Sequence, residues 1–121
     1  MHTLRKTSLT LATLAFIAPA QAAPSTPGGA ISVAQVAEML DQASSNRTAQ
    51  QVLTAYLGGI GETAGVLVGL GSAACRRPLS LSAEEARHAI AAASAAGQAR
   101  TLAATPLIVR DMLARAGCRR G

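Results

Sequence analysis

Aromatic side chains are almost missing from this sequence: among 121 residues there are one Tyr, one Phe and no Trp. That excludes an aromatic platform on which single-stranded bases could stack. Histidine is nearly as scarce, with only His2 and His88, too few for a histidine-rich metal site. Lys6 is the only lysine, so arginine carries the basic charge. No stretch alternates apolar and polar residues over the length of a strand, and there is no Cys-x-x-Cys. What remains is alanine, 28 residues of it, in a chain that is 50% hydrophobic. Such a composition predicts an all-α fold, and the length allows a single small domain.

The formal charge of +5 suggests nucleic acid until the N-terminus is considered. Residues 1–22 have the layout of a cleavable signal peptide. Arg5 and Lys6 form a positive start, Leu9 to Ile17 an apolar stretch, and Ala20-Gln21-Ala22 a small-residue cleavage site. The apolar stretch is about half the roughly 20 residues that span a bilayer, so an anchor is not expected. No cysteine follows the cleavage site, which argues against a lipid-modified N-terminus. Cleavage would leave nine basic and six acidic residues, a charge of +3. The remaining arginines are scattered along the sequence, and nucleic-acid binding is not expected from a scattered set. Residues 23–30 are expected to be a flexible leader and residues 31–121 one helical domain.

Cys75 and Cys118 remain after cleavage, in an oxidising compartment. Their one intramolecular pairing closes a loop of 42 intervening residues. A redox role would use Arg76 and Arg77 to lower the thiol pKa of Cys75. Without a Cys-x-x-Cys, a stabilising disulfide is the better reading.

Capping signatures divide the domain into four helices. Ser32 with Gln35, Thr48 with Gln51 and Ser82 with Glu85 each match a capping box. Thr105-Pro106 reads as an N-cap and first helical position. Gly97 and Gly117 read as helix stops. The second helix carries Gly58, Gly59, Gly61, Gly65 and Gly69, each costing up to ~1 kcal/mol against alanine. The expectation is close helix packing along Gly61, Gly65 and Gly69, or a break near Gly58 to Gly61. Residues 52–71 approach the composition of a membrane span, but Glu62 sits in the middle, so no stable span is expected. The third helix is alanine-rich and is expected to pack through small side chains.

No catalytic, cofactor or metal site is expected. His88 lies four residues after Glu84, and a local pair accounts for both. Glu62 is the one acid inside an apolar helix, and a helix break or an inter-helix hydrogen bond would account for it.

The run Tyr56-Leu57-Gly58-Gly59-Ile60 resembles the core helix of the Rap/Tai immunity-protein family. Cys75 with its proline-containing loop is similar to that family's Cys-x-Pro loop, and residues 103–118 are similar to its last helix. The resemblance covers roughly residues 31–118. It implies a small, typically homodimeric periplasmic protein that binds and blocks a peptidoglycan amidase effector delivered by type VI secretion. Many members carry a second cysteine pair; here those positions are Ala43 and Leu53, as if a whole bridge were lost. The expected partner contact is the loop Arg76, Arg77, Pro78 and Leu79, held by the disulfide. The alternatives are a periplasmic acid-stress chaperone, disfavoured by having only six acids, and a structural envelope protein.

Overall fold

A computed structural model describes residues 22–94 and 99–120. Nearly all of the expected signal peptide, and the expected stop at Gly97, lie outside the described residues. Four helices form the domain: α1 (Val33–Ala43), α2 (Arg47–Gly69), α3 (Ala83–Ser94) and α4 (Ala104–Arg115). Two short antiparallel strands, β1 (Ala73–Ala74) and β2 (Arg119–Arg120), join the end of α2 to the end of the described chain. The all-α expectation, with four helices and one disulfide, is met. The strand pair was not foreseen, because two residues are too few to show an alternating pattern.

The start of α1 follows the sequence closely. Ser32 is fully buried and fully bonded. Its hydroxyl accepts the Gln35 N–H at 3.1 Å and donates to the Pro24 carbonyl at 2.7 Å. Its own N–H donates to the Gln35 side chain at 2.9 Å. Residues 23–30, expected as a flexible leader, thus have one of their carbonyls tied to α1. The first N–H of each of two helices is then capped by the other's chain. Val33 donates to the Leu102 carbonyl and Ala104 to the Ile31 carbonyl, both at 2.9 Å.

Helix α2 begins earlier than its Thr48 signature suggests. Asn46 is the N-cap, its side chain accepting the Ala49 N–H at 3.1 Å. Asparagine outranks threonine as an N-cap, so it prevails when both are in reach. The helix then runs unbroken for 23 residues, which rules out the expected break. The expected close packing on its glycines is not there either. A Cβ built at Gly58, Gly59, Gly61, Gly65 or Gly69 would meet nothing within 4 Å. The core is reached instead by Leu53, Leu57, Ile60 and Ala64. Gly65→Ala is therefore expected to raise the unfolding free energy by about 0.5–1 kcal/mol. The midpoint of urea unfolding reads this directly, and a fall in stability would mean the position is obstructed.

By length and composition α2 could cross a membrane, with a mean hydropathy of 1.3 over its most apolar window, of which 22% is buried. Its buried row lies in the same cluster as Val33, Val36, Ile90, Ile108 and Met112. Spanning a bilayer would take that row out of the core. Beyond Ala64 the helix outruns the core: Val66 is 59% exposed and Leu70 76%.

Helix α3 starts at its expected capping box, Glu85 N–H to Ser82 Oγ at 3.1 Å and Ser82 N–H to the Glu85 carboxylate at 2.7 Å. It buries Ala86, Ala89 and Ile90, the small-residue packing its composition suggested. Helix α4 begins at Ala104, with Ala103 as N-cap. Thr105 is therefore inside the helix, and its hydroxyl shares a 2.8 Å hydrogen bond with that of Tyr56. Burial raises the pKa of that Tyr56 hydroxyl, partly offset by the Thr105 bond. Pro106 sits in the first turn, where its missing N–H costs nothing.

Arg115 ties α3, α4 and the loop before α3 together. It meets Asp111 at 2.8 Å, the expected pair, and also Glu85 at 2.9 Å. It donates to the Ser80 hydroxyl and carbonyl, both at 3.0 Å. The Ser82 N–H holds the Glu85 carboxyl below its ordinary 4.5; desolvation opposes it, and the Arg115 charge and the Ser80 hydroxyl add to the lowering. A lowered folded-state pKa adds stability above the unfolded value, lost as pH falls through the folded one. Glu85→Gln should thus be less stable than wild type at neutral pH, the two curves converging in acid. Thermal midpoints measured from pH 3 to pH 7 test this, and parallel curves would contradict it.

Candidate functional site

The corner where α4 ends is held both covalently and by backbone hydrogen bonds. Gly117 takes a positive φ of 66°. Cys118 N–H then reaches the Leu113 carbonyl at 2.9 Å and Gly117 N–H the Ala114 carbonyl at 3.1 Å, closing the helix. Cys118 is bonded to Cys75, with S–S 2.03 Å, and the expected pairing is present. The Arg76 and Arg77 N–H groups both donate to the Ala116 carbonyl at 3.0 Å. The stem of Arg76 lies over Gly117, where a Cβ would come within 3.4 Å. The expected contact loop is therefore fixed by one covalent bond and two backbone hydrogen bonds.

Of the four residues expected to make contact, Arg76, Arg77 and Pro78 are exposed, while Leu79 turns partly inward and packs on the core. The β1–β2 register, Ala74 opposite Arg119 and Ala73 opposite Arg120, adds two exposed arginines to the same corner. The sequence shows a scatter of arginines; the fold sets Arg76 and Arg77 on one side of the disulfide, beside Ala116, and Arg119 and Arg120 on the other, beside Ala74 and Ala73. Part of the signal was available: each arginine pair directly follows one of the two cysteines, so a Cys75–Cys118 bond brings both pairs to the same end of the domain. The ion pairs among the described residues use Arg87 and Arg115. None neutralises this corner.

Three residues beyond Arg76 the same loop becomes the wall of an open groove of about 790 Å³. Leu79 and Leu81 form that wall, and Leu53, Leu57, Gly58 and Gly61 line it from α2. Glycine at 58 and 61 leaves two gaps between the α2 side chains that line it, a physical use for residues whose helix propensity is costly. Glu62 and Arg87 also line the groove. Glu62 is exposed, so it is neither at a helix break nor buried between helices. His88 is also exposed and joins no ion pair, so the expected Glu84–His88 pair is not formed. Among the described residues no group of three or more His, Cys, Asp or Glu could hold a metal ion.

Comparison with family models, with curated proteins and with solved structures yields no match.

Proposed function

We propose that this chain is an exported, non-enzymatic binding module that occludes a protein partner with the arginine corner and the adjoining groove. The observation that carries this reading is that two exposed arginine pairs, Arg76–Arg77 and Arg119–Arg120, flank one disulfide and join no ion pair among the described residues. A surface already rigid loses little freedom on binding, so more of its contact energy becomes affinity. Four exposed arginines steer an acidic surface towards it. The apolar groove beside them suits a protruding apolar segment of the same partner. The Rap/Tai resemblance narrows the partner to a peptidoglycan amidase delivered into the periplasm, with this chain acting there as its inhibitor, as a homodimer like family members.

The test first asks whether a neighbouring reading frame encodes an amidase-like effector, whose absence would overturn the amidase reading, and then combines the mature chain with that effector. The wild-type chain should bind it and block release of peptidoglycan fragments. Arg76→Glu with Arg77→Glu should weaken binding by about tenfold or more, mainly through a slower, more weakly salt-dependent association. A wild-type chain that neither binds nor inhibits the effector would overturn the proposal.

A further inference from the structure

Ala23, the residue just after the expected cleavage point, is half-buried, and Ala22 before it is exposed. The Ala23 nitrogen donates to Glu38 Oε2 at 2.7 Å. The other Glu38 oxygen accepts from Gln42 Nε2 at 3.1 Å, so the carboxylate is held at both oxygens. The next residue, Pro24, is fixed by the buried Ser32 hydroxyl at 2.7 Å. The nitrogen is thus anchored from the residue after it and aimed at a carboxylate on α1.

We propose that Glu38 is the receptor for the chain's own α-ammonium group, created when the leader is removed. This rests on the export reading above. A signal peptidase adds water across the Ala22–Ala23 peptide bond: the C–N bond breaks, Ala22 leaves as a carboxylate and Ala23 keeps an ammonium. Before cleavage Glu38 meets one neutral amide N–H. After cleavage it meets a positive group with three donors, and the bond becomes charge-assisted. The other charged groups lining this cleft are Asp41, itself paired with Arg87 at 3.2 Å, and Arg100. Export would therefore complete the fold: the processed N-terminus locks onto α1 and the unprocessed chain has only the weaker bond.

The absence of lysine beyond Lys6 makes this measurable, because the mature chain contains a single amine. Intact mass of the exported protein establishes whether processing occurs after Ala22. The pH dependence of acylation then gives the pKa of that one amine. It should lie about one unit above the ordinary ~7.7–8.0 of an α-amino group, making acylation at pH 7 roughly tenfold slower. Glu38→Gln, and separately a chain made to start at Ala22, should return it to the ordinary range. An ordinary value in the wild type, or a raised one that survives Glu38→Gln, would overturn the site. A mass showing cleavage elsewhere would overturn the expected cleavage point and an uncleaved chain the export reading, and in either case a chain made to begin at Ala23 would still test the site.

Discussion

Replacing Cys75 and Cys118 together by serine is expected to cost about 4 kcal/mol of unfolding free energy, from the loop-entropy relation for a 43-residue separation. For a domain this small, with a net stability on the order of 5–10 kcal/mol, that approaches half or more of the total. Nothing else compensates for the lost covalent bond. The strand pair beside it is only two residues long, and the remaining ties are the backbone bonds from Arg76 and Arg77 to Ala116. Urea unfolding of the oxidised, reduced and double-serine proteins measures the effect. A loss below about 1 kcal/mol would show that those hydrogen bonds suffice to hold the corner. The same variant bears on the proposed function: without the bond, the Arg76–Arg77 and Arg119–Arg120 pairs are no longer fixed relative to one another, and partner binding should weaken along with stability.

The second large effect is expected at Ile108. It is completely buried on α4, in the cluster that includes Val33, Val36, Leu57, Ile60, Ile90 and Met112. Ile→Ala in a core costs 2–5 kcal/mol, depending on how far the neighbours can collapse into the space. Much of this core is alanine: Ala64, Ala86, Ala89 and Ala104 are all buried. An alanine has no side-chain torsion with which to swing into a cavity, so the void would stay open. Ile108→Ala should therefore fall in the upper half of that range, about 3–5 kcal/mol, and Ile108→Val near 1 kcal/mol. Equilibrium unfolding compares the two. A loss under 2 kcal/mol for the alanine variant would show that the backbone of α4 closes over the gap.

Where the sequence was informative, the reason was local. The capping boxes at Ser32 and Ser82 join atoms three residues apart, and Asp111 and Arg115 are one helical turn apart, so spacing alone places them. The helix starts at Asn46 and Ala104 were harder to read, because competing caps sit within two residues of each other. Ala104 also depends on a carbonyl about seventy residues away. The glycines of α2 could not be assigned from spacing: a small-residue face looks the same whether another backbone approaches it or a groove opens on it. The arginine corner was hidden for a related reason. Arg119 and Arg120 reach the same end of the domain as Arg76 and Arg77 only through the disulfide and the strand pair, and charge counted along a chain says nothing of that. The Arg115–Ser80–Glu85 cluster was missed because it links two helices through a loop.

The mutual capping of α1 and α4 also has a dynamic consequence. Helix ends normally fray, and their first amides exchange with solvent hydrogen through small local openings. Here the amides of Val33 and Ala104 are each held by the other helix's chain, so neither end can open without releasing the other. Both should rank among the slowest amides to exchange deuterium, at a rate set by unfolding of the whole bundle. The last turn of α2, from Val66 to Leu70, has no such partner and should exchange first. In this small domain the most protected backbone would lie at the beginnings of two helices, and the least protected at the end of the longest one.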